Sequence, residues 1–420
     1  MNVAARSRIA DLALAPCGHQ AIDWVQRRSP VLDGYVRTVL ADGVLRGRRV
    51  AVVVRLEAKT AFLATVLADA GATVVVVGSN PGTTRDDVCS ALVERGIEVH
   101  SSRGSSAEVW EADLLAVADT EPELIIDDGA ELTLRISRHR PLIYQRLVGV
   151  SEETTTGVAR LRQLDEAGRL PMPAIAANDA ACKHMFDNRY GTGQSTIQAI
   201  LKLTNLRLPG KRVVVVGYGW VGRGIANYVR ALGARAIVVE VDPIKALEAL
   251  SDGHDVSPLA DALPQADFVI TATGGVRTIG GEHAALLAPS VILANAGHHD
   301  LEIDVPALRR LSRLENEVRE GVTQIFFRDK SVYVLSQGAL VNIAGGMGHP
   351  VEIMDLYFSV QALCCYLLAQ GGLSVGVHRF PEDLDRAIAL AKLASRGVAI
   401  DPVDPGRLNT LIGSLEGIDG

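Results

Sequence analysis

Nine short runs of Val, Ile, Ala and Leu limit what this chain can fold into more than any other feature. They lie at 48–54, 72–78, 124–128, 146–150, 173–178, 211–217, 235–240, 267–273 and 290–295. Most are apolar without interruption, the pattern of strands covered on both faces of a parallel sheet. Helical patterns such as 59–71 and 220–233 separate several of them. That alternation predicts an α/β chain with two doubly wound parallel-sheet domains. One sheet is expected over roughly 45–178 and the other over roughly 211–340. The stretch 179–210 reads as a connecting helix, and a second helical segment over 350–370 follows the second sheet. A return to the first body there makes the two crossings a hinge.

Composition removes several classes of function. The 420 residues carry 42 Lys and Arg against 49 Asp and Glu, a net charge of −7. A dominant nucleic-acid role is not expected, because phosphate binding needs clustered cations. No run of about 18 apolar residues predicts a membrane span. The first residues are too broken by charge for a secretory signal. Five cysteines, Cys17, Cys89, Cys182, Cys364 and Cys365, form no CxxC pair. A reduced, cytoplasmic protein is the expectation, and no His/Cys cluster suggests a metal.

The sharpest local signal is Gly217-Tyr218-Gly219-Trp220-Val221-Gly222, after one apolar run and before a helical pattern. In such a turn the first glycine permits the tight bend, the second lets backbone approach a pyrophosphate, and the third allows close helix–strand packing. The next run ends in Glu240, at the spacing of an acid that binds ribose hydroxyls and repels a 2′-phosphate. NAD is therefore the predicted cofactor. Thr271, Thr273 and Gly274 follow a further strand, and Asn295, Gly297 and His298 the one after; both sets fall at strand carboxyl ends, where ligands bind in open α/β sheets.

The first sheet has no such glycines. Its strand ends carry Arg55, Asn80, Asp128, Glu153 and Asn178. Each alone reads as a helix cap or surface group; together on one edge, opposite a dinucleotide site, they suggest chemistry. Lys183 and Asp187 share a helical face four residues apart. A Lys–Asp pair is usually a solvated bridge of little value, but in an interdomain cleft the lysine can act as a base on an alcohol that loses hydride to NAD. His298 and His349, near the crossings, suit proton transfer or substrate orientation.

At these residues the chain resembles the adenosylhomocysteinase (S-adenosylhomocysteine hydrolase) family over roughly 45–400. The matching stretches are Ser151 to Gly157, Asn178-Asp179, Lys183, Phe186-Asp187-Asn188, Tyr190-Gly191, the glycine turn, Glu240 to Pro243, Asn295 to His298, Leu340-Val341-Asn342, and Met347 to Pro350. The resemblance implies a substrate domain over 1–185 and 349–400, a NAD-binding Rossmann domain over 186–348, and a short tail over 401–420. It implies a homo-oligomer, tetramer or dimer, acting on a small nucleoside-type molecule. It implies transient oxidation of a ribosyl 3′-hydroxyl, which acidifies C4′ and allows reversible loss of a 5′-thiol and addition of water. Lys183 would be the base, tuned by Asn178. Glu153 and Asp187 would hold the ribose hydroxyls, Asp128 would assist near C4′ and C5′, and His298 would lie near the sugar. His349 and Met347 would contact the base. Thr154, Thr155, Thr156, Asn188, Gly217, Gly219, Trp220, Val221, Gly222, Glu240, Thr273, Asn295 and Asn342 would bind NAD.

The departures fall at the substrate end. Arg55, Glu57 and Lys59 stand where the family has a histidine, a threonine and a glutamate, and Thr192 where it has a cysteine. Arginine cannot serve as a neutral base. These changes imply a shifted substrate preference. The alternatives are a NAD-dependent oxidoreductase without 5′ elimination and a non-catalytic, NAD-loaded binding protein.

Overall fold

The computed structural model describes residues 3–297 and 300–401. Its strands are β1 Arg49–Val54, β2 Thr73–Gly78, β3 Glu98–Val99, β4 Leu124–Asp127, β5 Gly149–Glu152, β6 Pro173–Ala176, β7 Arg212–Val216, β8 Arg235–Val239, β9 Asp255–Val256, β10 Phe268–Thr271, β11 Ile292–Asn295, β12 Leu314–Arg319, β13 Val322–Phe326, β14 Ser331–Leu335 and β15 Gly376–Arg379. They form a seven-stranded sheet, β15-β6-β5-β4-β1-β2-β3, and an eight-stranded sheet, β12-β13-β14-β11-β10-β7-β8-β9. The first is parallel throughout.

Each of the nine apolar runs overlaps a strand, that at 146–150 only at its end. Within β1, Val50, Val52 and Val54 enter one core, and Ala51 and Val53 enter the core on the opposite face. β7 divides in the same way, Val213 and Val215 against Val214 and Val216. Two buried faces are why these strands carry no polar alternation.

Three features depart from the expected layout. The second sheet ends in an antiparallel meander, β12-β13-β14, joined to β11 through β14. Its outermost strand, Leu-Glu-Asn-Glu-Val-Arg, is exposed along its length, so it has no apolar run to betray it. The short β15 returns the chain to the edge of the first sheet beside β6. The connecting helix is compound: a 3-10 turn Ala177–Asp179, one α turn Ala181–Lys183, a π segment His184–Gly191, and an α-helix Thr192–Thr204 closed by left-handed Asn205.

The helix Val351–Gln370 is long and apolar enough to cross a membrane by composition, but most of it is buried against the first sheet. Among its buried polar groups is Asp355, whose Oδ1 accepts the Leu32 N–H at 2.9 Å and whose Oδ2 accepts Val31 N–H at 3.2 Å and Lys392 Nζ at 2.8 Å. Burial raises the Asp355 pKa, and the Lys392 charge opposes that. One carboxylate thereby ties the N-terminal helices, the long helix and the helix Glu382–Ser395 together.

Each sheet has a switch point near its centre. In the first, the chain runs β1, β2, β3 outward, then resumes with β4 on the other side of β1. In the second it runs β7, β8, β9, then resumes with β10 beside β7. A crevice opens at such a switch point, outside the strand carboxyl ends. Arg55 and Asp128 follow the two central strands of the first sheet; the glycine turn and Thr273 follow those of the second.

Asp355→Ala leaves Lys392 and two backbone N–H groups without their acceptor. Breaking a buried ion pair from one side costs about 3–5 kcal/mol. Urea unfolding of the variant should show a loss of that order with an unchanged m-value.

Candidate active site

A cleft of about 1230 Å³ collects residues from both switch points and from both crossings. That volume exceeds the usual range for a single small ligand and accommodates two. Arg55, Glu57, Lys59, Asp128, Glu153, Thr154, Thr155, Thr156 and Asn178 reach it from the first sheet. Lys183, Asp187, Asn188, Met347 and His349 reach it from the crossings, and Gly219, Trp220, Val221, Thr273 and Asn342 from the second. Gly217, Gly222, Glu240 and Asn295 are not among the residues that line it. His298 falls outside the described residues.

Lys183 sits at the centre. It is buried, and its Nζ lies 3.2 Å from Asn178 Oδ1, 3.0 Å from Asn188 Oδ1 and 3.0 Å from Asp187 Oδ2. The π segment makes this possible. Its wider turn brings a residue five positions on, Asn188, to the same face as Lys183. Burying an ammonium costs several kcal/mol unless oxygens surround it, and these three do so.

Asp187 is held on its other side by His349, whose Nδ1 is 2.5 Å from Asp187 Oδ1 and whose Nε2 is 3.1 Å from the Thr192 hydroxyl. Burial alone would push the Asp187 carboxyl up; His349 and Lys183 outweigh it and hold the group well below the ordinary carboxylate range. Both ring nitrogens of His349 are occupied, which leaves its backbone for any contact with a base. Thr192, the residue in the family's cysteine position, is part of this mesh.

Glu153 behaves oppositely. It is partly buried, and its buried Oε2 has no hydrogen-bond partner. Burial first, and the neighbouring Asp128 second, push its pKa up to about 8 against the pull of Lys183 and the Tyr357 hydroxyl. The site therefore pairs an ionised Asp187 with a neutral Glu153, a division of labour suited to acid–base work. Asp128 accepts the Ser79 hydroxyl at 2.7 Å.

After β1, a short loop and the first turn of the helix Ala58–Asp69 present Arg55, Glu57 and Lys59 to the cleft. The Arg55 carbonyl is fixed by the Thr60 hydroxyl at 2.6 Å. Lys59, buried, pairs with Glu57 at 3.0 Å and donates to the Met347 carbonyl at 3.2 Å. This stretch offers a positive donor and a carboxylate side by side.

The opposite wall fits a dinucleotide. Gly217 has φ +98°, and a Cβ there would meet the Ala272 carbonyl at 2.7 Å. A Cβ on Gly222 would lie 1.8 Å from the Gly217 oxygen, whereas a Cβ on Gly219 would meet nothing within 4 Å. The open space at Gly219, ahead of the helix Trp220–Ala231, is the cradle a pyrophosphate needs. Glu240 accepts the N–H groups of Tyr218, Val241 and Asp242 at 2.6–3.0 Å. Burial resists ionisation, but these backbone donors prevail and lower its pKa. Asn342 donates to Ser195 Oγ at 3.0 Å while its buried Oδ1 lacks a partner, an acceptor placed for a carboxamide N–H. Thr154 caps its helix by accepting the Gly157 N–H, and the Thr155 hydroxyl accepts from Asn178 at 3.3 Å.

Some placements were not legible in the sequence. Asn295 is fully buried, donating to the Gly338 carbonyl and accepting from Thr271 and Gly297, and so braces the second sheet. Glu152 accepts the N–H groups of Gly129, Ala130 and Thr154. Glu302 accepts those of Thr273 and Gly274. The sequence signal for Glu152 is its strand-end position; Glu302 has none. Tyr357 and Gln361, in the long apolar helix, carry none either.

A carboxyl whose pKa is raised keeps its proton in the folded state where the unfolded chain has released it. Glu153 therefore lowers stability progressively from its ordinary value of about 4.3 up to about pH 8. Glu153→Gln removes that dependence. Its stability relative to the parent protein should rise steadily between pH 5 and pH 8, measured by denaturant titration at each pH.

Comparison with known proteins finds two family profiles. "S-adenosyl-L-homocysteine hydrolase" matches residues 6–141, and "S-adenosyl-L-homocysteine hydrolase, NAD binding domain" matches residues 188–348. A protein named S-inosyl-L-homocysteine hydrolase from Methanopyrus kandleri is 45% identical, over 94% of this chain and 95% of its own length. An adenosylhomocysteinase from Thermotoga maritima is 46% identical, over 91% of this chain and 96% of its own. Among solved structures, a dipicolinate synthase chain from Bacillus halodurans superposes with a TM-score of 0.50 at 15% identity, over 78% of this chain and 99% of that one. At that identity the likeness concerns the fold alone.

Proposed function

The chain belongs to the S-adenosyl-L-homocysteine hydrolase family, and from that premise we propose that it hydrolyses an S-nucleosyl-L-homocysteine thioether in the cleft between its two sheets. The observation that carries this reading is the buried Lys183 amino group, held by Asn178, Asp187 and Asn188 where both switch points meet. NAD, held by the residues named below, would supply the hydride acceptor and donor for a sugar carbon.

The protein's own groups do the rest. Lys183 acts as its deprotonated amine: having released its own proton, it takes that of the sugar 3′-hydroxyl as the carbon is oxidised, and Asn178 and Asn188 hold the amine in line. Asp187, ionised and anchored by His349, accepts from a ribose hydroxyl; Glu153, neutral near pH 7, donates to the other. Oxidation makes the adjacent C–H acidic, and Asp128, steadied by Ser79, is the carboxylate closest in kind to that task. His298 follows the strand β11 and would complete the sugar's surroundings. Arg55 places a permanent cation in the cleft, suited to a departing thiolate rather than to proton transfer. Lys59, Glu57 and Met347 read the base. Gly217, Gly219 and Gly222, with Trp220, Val221, Glu240 and Thr273, hold the adenosine half of the dinucleotide. Thr154, Thr155, Thr156, Asn188 and Asn342 hold its nicotinamide half, and Asn295 braces the turn beside them.

The same reading divides the chain into a substrate domain over 1–185 and 349–400 and a Rossmann domain over 186–348, hinged at the two crossings. It takes the protein for a cytoplasmic homo-oligomer. Supporting an interface between copies, Val241, Ile244, Leu247 and Leu250 expose an apolar strip beside Glu240.

The test supplies S-adenosyl- and S-inosyl-L-homocysteine in turn and follows release of free thiol. Turnover of either, without net NADH, is expected. Lys183→Met should lower kcat about 10²–10⁴-fold, the usual contribution of a general base. NADH accumulating without thiol release would replace this reading with an oxidoreductase that stops at the ketone.

A further inference from the structure

Beneath the sugar end of the cleft lies a polar relay that the chemistry above does not use. Ser151, on β5, donates its hydroxyl to Gln361 Oε1. That contact orients the carboxamide, so Gln361 Nε2 donates to the Tyr357 hydroxyl oxygen at 2.8 Å. All three side chains are fully buried. A tyrosine oxygen that accepts from an amide has its own proton left to place, and a buried hydroxyl proton needs an acceptor. The Tyr357 hydroxyl faces the Glu153 carboxyl, whose Oε2 is buried and without a partner. The ring of the same tyrosine lies 5.4 Å beneath Lys183 Nζ, within cation–π range. The Tyr357 ring thus contacts one of the two groups that bracket the sugar hydroxyls, and its hydroxyl bears on the charge of the other.

We propose that Tyr357, aimed by Gln361 and Ser151, is a positioning residue that donates to Glu153 and so sets which oxygen of that carboxyl carries the proton offered to the substrate. The inference rests on the hydrolase reading for its meaning, not for its measurement. The groups facing Glu153 are Asp128 after β4, Lys183 and Asp187 from the connecting segment, and Tyr357 from the long helix. Asp128 and Asp187 disfavour a charge on Glu153, while Lys183 and the Tyr357 hydroxyl favour it. Removing the hydroxyl alone shifts the balance toward the protonated acid. The direction is opposite to that of a merely loosened site, where water would enter and lower the pKa.

The experiment uses the NAD-loaded protein and reads the Glu153 carboxyl directly. Its protonated C=O stretch, identified by its absence in Glu153→Gln, is followed against pH by difference infrared spectroscopy. Tyr357→Phe keeps the ring and should raise the midpoint by about one pH unit, the scale of one hydrogen bond to a charged group. The matching limb of the kcat–pH profile should move with it, with KM little changed. Gln361→Met, which frees the tyrosine hydroxyl to turn away, should give a smaller rise of the same sign and keeps the question answerable if Tyr357→Phe does not fold. In a Glu153→Gln background, Tyr357→Phe should lower kcat no further. A midpoint that stays in place or falls in the folded variants, or a second full loss of kcat in the double variant, overturns the proposal. If the parent protein turns over neither thioether, the hydrolase reading fails while the infrared midpoints still decide this one.

Discussion

Everything at the reacting end of this molecule depends on keeping one ammonium group out of water. Lys183 can be buried only because three oxygens converge on it, and they converge only because the chain there is not a regular α-helix. An ideal helix would align Lys183 with Asp187; the π segment His184–Gly191 adds Asn188, and the 3-10 turn before it adds Asn178. The irregular backbone is thus the means by which a costly charge is made tolerable. His349 extends the arrangement by fixing Asp187 from the second crossing. A residue near 180 and another near 350 therefore share one electrostatic cluster, although 162 positions separate Asp187 from His349.

A second constraint recurs in both sheets. Glu152, Glu240 and Glu302 each direct a carboxylate at backbone N–H groups of a turn beside a strand end. Turns at the carboxyl edge cannot borrow partners from the ladder, and they must keep their shape for a ligand to be met by backbone. A carboxylate accepts several such bonds at once. These three glutamates hold the rim from within and leave Asp128, Glu153 and Asp187 to face the cleft.

The strands were legible because an unbroken apolar run of that length suits little besides a strand buried on both faces, and the glycine turn because each glycine answers a separate steric demand. Gly217 is left-handed, Gly222 has no room for a Cβ, and Gly219 faces open space. Lys183 and Asp187 were legible from helical spacing, although the π geometry was not, since no residue in His-Met-Phe-Asp-Asn-Arg-Tyr-Gly demands it. Polar strand β12 gave no apolar signal. Glu302 and the Ser151–Gln361–Tyr357 relay lie far apart in sequence or inside an apolar helix, where a lone polar residue carries no spacing information. Asn295 bore a recognisable pattern, yet its amide is spent on Gly338, Thr271 and Gly297.

The Arg189 carbonyl rests against Gly224 so closely that a Cβ there would come within 1.9 Å of it, and the Gly193 and Gly224 backbones also abut. The strip of chain just after Lys183 is in effect riveted to the helix that follows the glycine turn. Lys183 itself stays with Asp128 and Glu153, because the N–H groups of Ala181 and Cys182 are held by Asp385 and its own amine by Asn178. Any breathing of the molecule that parts its two halves would therefore bend the few residues between Lys183 and Arg189, so that the proton acceptor and the hydride acceptor ride on opposite jaws and meet only when these shut on a sugar.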